Sequence, residues 1–334
     1  MTIKLHAVDR AIWRNELEAF VPAEVFDFHT HIFAHRCFRR TVPKDLRPYP
    51  RADLDYHRRM NNVLLPSRQV RYLMMGWPAL SCDLDKQNRF VLRELQKAKD
   101  NAYALMNSSP SMNPRHVQDV LGQGFVGFKP YKCFSTSADP ENASIQDFLP
   151  RSQIAIADKH HLIVTLHLSR RKGISDRQNL AELSRLMRKY PNVIWNLAHC
   201  GRSFFPENLE KAVPKIRRLS HGNVYWDTSA VNDSDVFFIL FSEVGPERIL
   251  YGSDNLPVGV LRGRCVGFGY DWSFVTEDEC RLPPLPYGQV NPSFVLYEEL
   301  RAIRRAALRA GLSRKDATRI FETNAEAILR QVGS

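Results

Sequence analysis

Eight short apolar runs, each followed by a longer amphipathic stretch, set the strongest limit on how this chain can fold. The runs are 24–29 (EVFDFH), 69–75 (QVRYLMM), 101–106 (NAYALM), 124–129 (GFVGFK), 161–167 (HLIVTLH), 192–199 (NVIWNLAH), 222–229 (GNVYWDTS) and 247–252 (ERILYG). Several are apolar throughout rather than alternating, the pattern of strands covered on both faces. Helical stretches fill the intervals at about 51–63, 83–99, 114–122, 144–159, 176–190, 206–219 and 233–244. Strand and helix in alternation at this spacing make parallel βαβ units. Eight such units predict an α/β fold, a closed (β/α)8 barrel of the TIM type. Breaker residues agree: Asn192 after Pro191, Gly222-Asn223 and Gly245-Pro246 each stand just before a strand, where the preceding helix has to stop.

The chain of 334 residues suffices for one barrel of about 250 residues with additions. No repeat, linker or low-complexity segment interrupts it, so a single domain over 1–334 is expected. The N-terminus reads as an amphipathic helix rather than a signal peptide. Residues 255–291, rich in Gly, Pro and aromatics, form a long insertion after the eighth strand, where such loops usually serve as lids. Phe268, Tyr270 and Trp272 on it are candidates to wall a site off from water, and 292–310 and 313–331 read as two closing helices. No apolar run approaches the roughly 20 residues needed to cross a bilayer, and a cytoplasmic protein without membrane association is expected. Six scattered cysteines without a CxxC pair argue against a disulfide framework or a zinc ribbon. The net charge of +11 permits anionic partners. Its lysines and arginines, however, are spread over helix faces such as KIRRL and RAIRRAALRA, with no basic tail or nucleic-acid motif. A small anionic substrate is therefore expected rather than nucleic acid.

The chemistry concentrates in histidines. In VFDFHTHIF, strand alternation puts His29 and His31 on one face. In a parallel barrel, functional groups gather at the C-terminal ends of strands. There the fifth run ends in His167, the sixth in His199, and the eighth runs through ILYGS into Asp254. One terminal histidine is usually a satisfied core residue. Four in one layer with an aspartate make a set able to hold a divalent metal, since catalytic zinc takes His and carboxylate ligands and keeps a position open for water. Asp27, two residues before His29, is expected one layer down inside the barrel, either orienting a ligand imidazole or bonded to backbone.

DFHTH, LHLS, LAHCG and YGSDNLP on these strands resemble the amidohydrolase superfamily. Within it they resemble the amidohydrolase-related (amidohydrolase 2) family of aminocarboxymuconate-semialdehyde-type decarboxylases and lactone hydrolases. LDYHRRMNNVLLPSRQVRYLMM and IFETNAEAIL are similar to that family's helix-to-second-strand segment and closing helix. The likeness spans roughly 24–254 and 292–330. It implies His29, His31, His167 and Asp254 as metal ligands and His199 as the catalytic histidine near the metal-bound water. Asp254 would double as the catalytic base. One divalent ion is implied, zinc first, with manganese or iron fitting the same donors. Other branches of the superfamily carry a carbamylated lysine bridging two metals at the place of Lys129. The closest branch keeps a lysine beside a single metal, which leaves Lys129 to pair with substrate anions. Arg170 and Arg202 are the arginines expected to bind a substrate carboxylate, ahead of Arg171, Arg262 and Arg264. The resemblance implies a metal-dependent hydrolase in which hydroxide attacks a lactone, amide or ester carbonyl. Non-oxidative decarboxylation of an unsaturated or aromatic carboxylic acid is the alternative. A non-catalytic binding scaffold is disfavoured because every expected ligand is present. Members of the family are often dimers or larger, so a homo-oligomer is also implied.

Overall fold

The computed structural model describes residues 3–98, 101–219, 222–269, 271–276 and 291–333. Nine strands form one sheet: β1 (Glu24–Ala34), β2 (Arg51–Ala52), β3 (Gln69–Gly76), β4 (Ala102–Ser108), β5 (Gly127–Pro130), β6 (Ile163–Leu166), β7 (Ile194–Leu197), β8 (Val224–Asp227) and β9 (Ile249–Leu250). Their order is β2-β1-β3-β4-β5-β6-β7-β8-β9, and every pair is parallel except β2 with β1. The eight parallel strands are the eight apolar runs. β2 is a two-residue addition where a helix was expected from 51; that helix instead starts at Leu54, capped by Asp53, which accepts from Tyr56 N.

The ring closes beyond the end of β9. Phe28 N donates to Tyr251 O at 2.8 Å, Asp254 N to His29 O at 3.0 Å, and His31 N to Asn255 O. The chain leaving β9 thus runs alongside β1 as an eighth parallel partner. The sheet is a barrel with helices outside, as the alternation of runs predicted.

Inside the barrel, side chains fall into layers. Phe26, Phe28, Leu105, Ile163, Ile194, Tyr225 and Leu250 belong to one apolar cluster, closed off by Ala325 and Ile328 of the helix Asn324–Leu329. Two residues further along a strand, a side chain occupies the same face one layer on. From Leu105, Ile163, Ile194, Tyr225 and Leu250 that step reaches Asn107, Thr165, Asn196, Asp227 and Gly252, and from Gly127 it reaches Lys129. An apolar floor therefore gives way to a polar layer within two residues on nearly every strand. The outward residues, such as Val164, Trp195, Trp226 and Ile249, pack in the larger core that also takes in Leu183, Phe237 and Leu300 of the flanking helices.

β1 departs from simple alternation. Asp27 pairs with Tyr72 but Thr30 with Met74, so β1 carries one residue more than β3 across this interval, a bulge. The extra residue lets Phe28 belong to the floor while His29 and His31 face the site above it. It also moves Asp27 to the face opposite Phe26 and Phe28, not into the interior where alternation counted back from His29 placed it.

The described part of the insertion is an antiparallel hairpin, β10 (Gly263–Phe268) and β11 (Asp271–Thr276). Residues 277–290 and Tyr270 lie outside the described residues. Of the cysteines, Cys37, Cys82, Cys200 and Cys265 are buried free thiols and Cys133 is partly buried.

β5 and β6 approach each other closely at Gly127. A Cβ added to Gly127 would lie 1.9 Å from the carbonyl oxygen of Ile163, with backbone rather than side chain in the way. Gly127→Ala is therefore expected to cost at least about 3 kcal/mol of stability. Urea denaturation of the purified variant measures this, and a midpoint equal to that of the wild type would contradict the packing described.

Candidate metal centre

Three side chains from the two edges of the closing seam meet at the barrel mouth. His29 and His31 come from β1, and Asp254 from the chain beyond β9. Their ligand atoms all lie within 4.8 Å of one another, and all three residues are buried. His29 Nε2 is 3.7 Å and His31 Nε2 3.4 Å from Asp254 Oδ1. Asp254 has a left-handed backbone (φ 52°), a conformation that aspartate tolerates better than most residues, and its amide is tied to His29 O.

The other nitrogen of each imidazole is committed. His31 Nδ1 is 3.1 Å from Gly76 O, which can only accept, so Nδ1 carries the hydrogen. His29 Nδ1 donates to Asp227 Oδ2 at 3.0 Å, with Ser229 Oγ at 3.1 Å. Burial pulls His29 down to about 4 and lowers His31 as well, so both rings are neutral near pH 7. Burial works against ionisation of Asp254, yet the His31 contact and the neighbouring imidazoles hold its carboxyl at about 2. Lone pairs on two nitrogens thus face an ionised carboxylate oxygen. That arrangement of acceptors is unfavourable on its own and is the donor set of a divalent cation.

Asp227, on β8, anchors this arrangement and was not singled out in the sequence. Besides His29 it accepts from Asn196 Nδ2 at 2.9 Å, from the His199 amide at 2.9 Å and from Ser229 Oγ. The pairing with His29 keeps it ionised against burial. Its signal was legible: it ends the run YWD in the layer that holds Thr165 and Asn196. The imidazole-orienting role weighed for Asp27 belongs in the structure to Asp227. Asp27 instead accepts from Ser253 N at 2.9 Å, from Ser253 Oγ and from the His29 amide at 3.2 Å. Burial raises its carboxyl to about 6.

His199 follows β7 in a left-handed turn (φ 55°), and its Nδ1 donates to Ser229 O at 2.9 Å. Its ring lies 5.2 Å from that of His29 and 5.1 Å from that of His167. His167 is beside the centre but not in the three-residue group. Its Nδ1 is 3.1 Å from Leu168 O, and burial, with the charge of His199 and nearby cations, lowers it well below the usual range. Lys129 points into the centre, with Nζ 3.1 Å from His29 Nε2; burial brings its ammonium down to about 8, with Asp227 and Asp254 opposing.

Of the five arginines weighed from the sequence, the one whose charge acts on His167 is Arg202. It is 5% exposed, and it donates to Leu168 O and Arg170 O. Together with the mostly buried Lys132 it faces Glu141, whose side chain is 67% exposed. Arg170 is taken up by Asn142 O and Asp176, Arg171 by Asp271 and Trp272 O, Arg262 by the buried Asp9 and Arg264 by Asn232 O. Aromatic rings stand beside the imidazoles: Trp77 by His31 (4.9 Å), Tyr131 by His167 (4.9 Å) and Phe204 by His199 (5.6 Å). Trp272 of the hairpin backs Phe204 at 4.1 Å.

The amidohydrolase family model matches residues 109–331, two thirds of the chain, a span that includes His167, His199, Asp227 and Asp254. No curated protein matches it. Solved structures share the fold. A probable 2-pyrone-4,6-dicarboxylic acid hydrolase from Acinetobacter baumannii, with citric acid bound, is 13% identical with a TM-score of 0.56, over 92% of this chain and 99% of that one. An amidohydrolase from Burkholderia multivorans with bound zinc is 13% identical with a TM-score of 0.59, over 92% and 99%. A dihydroxybenzoic acid decarboxylase from Polaromonas sp. JS666, with manganese and 2-nitroresorcinol, is 15% identical with a TM-score of 0.58, over 92% and 97%. Because that model covers more than half of the chain, the chain belongs to the amidohydrolase family and is an enzyme.

Proposed function

We propose that this enzyme is a metal-dependent hydrolase acting on a lactone, amide or ester of a small carboxylate-bearing molecule. The observation that carries the reading is the meeting of His29 Nε2, His31 Nε2 and an Asp254 oxygen within 4.8 Å. A divalent cation held there, with zinc suited to the donors, polarises a carbonyl and makes water acidic near neutral pH. Asp254, ionised and at the rim of the group, takes the proton of the attacking water. His199, its Nδ1 hydrogen fixed on Ser229 O, has a bare Nε2 that would take over the proton Asp254 removes from water and deliver it to the leaving oxygen or nitrogen. His167 flanks His199 and completes the imidazole arc as a further ligand. Arg202, joined by Lys132, holds the substrate carboxylate, with Lys129 as a second cation near the reacting carbon. Arg170 contributes by holding the loop that carries Glu141.

The aromatic rings beside the imidazoles favour a second reading. Flat walls suit an aromatic or unsaturated acid, and the same residues could deliver a proton to carbon as carbon dioxide leaves. Incubating the metal-loaded enzyme with a panel of lactones and aromatic acids in ¹⁸O-water separates the two. Hydrolysis puts ¹⁸O into the product. Carbon dioxide release without ¹⁸O incorporation would replace it with decarboxylation.

Two outcomes follow for variants. His31→Ala and Asp254→Ala should each reduce bound metal to less than about a tenth of the wild-type content, since each removes one of three close donors. Elemental analysis of the purified proteins decides, and full metal content in both would place the centre elsewhere. His199→Asn, by contrast, should keep its metal and lose turnover by about a hundredfold or more, the scale of a proton-transfer group. Unchanged turnover with a substrate found in the panel would remove His199 from the chemistry.

A further inference from the structure

The closing helix Val295–Arg309 sends one carboxyl group towards the seam of the barrel. Glu299 is 0% exposed. Its Oε1 is 2.8 Å from Thr228 Oγ1, and its Oε2 accepts from Ala230 N at 3.2 Å. Thr228 Oγ1 in turn accepts from Gly252 N at 3.2 Å. These contacts bracket the metal centre. Ser229, between Thr228 and Ala230, supplies the carbonyl that holds His199 Nδ1 and the hydroxyl beside His29 Nδ1. Ala230 keeps a left-handed backbone (φ 62°) with its amide on Glu299. Gly252 packs so closely on His29 that an added Cβ would lie 2.7 Å from His29 Cβ, and two residues later the chain reaches Asp254.

We propose that Glu299 is a positioning residue for the metal centre, setting the 228–230 turn and the approach of Gly252 that together orient His29, His199 and Asp254. The inference rests on the reading of that centre as a metal site. No other residue of this helix reaches both β8's exit and the seam through side-chain bonds among the described residues.

The bonds made by Glu299 say which substitutions preserve them. Its charged neighbours Asp27 and Asp227 are themselves acids, and burial with their charge pushes its carboxyl well above the usual range. Thr228 Oγ1 donates to one carboxyl oxygen and Ala230 N to the other, so both oxygens accept. Glutamine keeps both contacts, with Oε1 accepting from Ala230 N and Nε2–H donating to a Thr228 hydroxyl that turns from donor to acceptor. Leucine reproduces only the bulk, and Thr228→Val removes the relay to Gly252 from the other side.

The test uses Co²⁺ as probe on the full chain freed of metal. Affinity is read by chelator competition and ligand geometry by the visible absorption of bound Co²⁺. Glu299→Gln should match wild type within about twofold and keep its spectrum. Glu299→Leu and Thr228→Val should bind Co²⁺ at least about tenfold more weakly with an altered spectrum, the scale seen when groups orienting a ligand are removed. A merely structural role would lower the melting temperature and leave the spectrum as it was. Wild-type affinity and spectrum in both Glu299→Leu and Thr228→Val would overturn the inference, as would Glu299→Gln losing as much as Glu299→Leu. Should Glu299→Leu not fold, Thr228→Val and Glu299→Gln still decide it. If the wild type takes up no Co²⁺, the metal reading fails and this inference with it. If it does and the variants match it, only this inference fails.

Discussion

The joining of β1 to the chain beyond β9 is the constraint on which the site depends. Hydrogen bonds from Phe28 N to Tyr251 O and from Asp254 N to His29 O close the ring. The same bonds set a histidine strand beside Asp254, four residues beyond β9. Residues more than two hundred positions apart then present nitrogen and oxygen lone pairs to one another. Gly252 is what permits this contact, because a side chain there would meet His29.

Electrostatics at the mouth follows from burial. Neutral imidazoles face the ionised Asp254, and Asp227 is kept charged by the His29 Nδ1 hydrogen and the amides around it. Lys129 lies against His29 Nε2. The polar layer is costly to bury, and hydrogen bonds offset part of that cost: Asn196 bridges Thr165 and Asp227, and Ser229 bridges Asp227 and His199. Below it the apolar floor has no such debts, so stability and chemistry are divided between two layers of the same strands.

The barrel was legible because its signals are local. Each strand is a short apolar run, and the histidines and Asp254 stand at or just beyond the C-terminal ends of those runs. His29, His31 and Asp254 could be named from that alone, and the resemblance of DFHTH and YGSDNLP to known motifs sharpened it. The bulge in β1 was not legible, since nothing in VFDFHTHIF marks where the partner strand is one residue short. Asp27 was for that reason expected inside, and its carboxylate was weighed for the role that Asp227 takes. The arginines were placed by nearness in sequence. Arg171, Arg262 and Arg264 are claimed by partners up to 258 positions away, which no local pattern shows. Glu299 was not singled out in the sequence, and the role proposed for it depends on a helix packing that only the tertiary structure supplies.

The central claim is that one divalent cation is held jointly by the two edges of the closing seam. Anomalous diffraction at the zinc edge, from crystals of the protein grown with one equivalent of Zn²⁺, tests it most directly. The account predicts a single strong anomalous peak about 2 Å from His29 Nε2, His31 Nε2 and an Asp254 oxygen. A peak bonded to other residues, or none at these three, would contradict it.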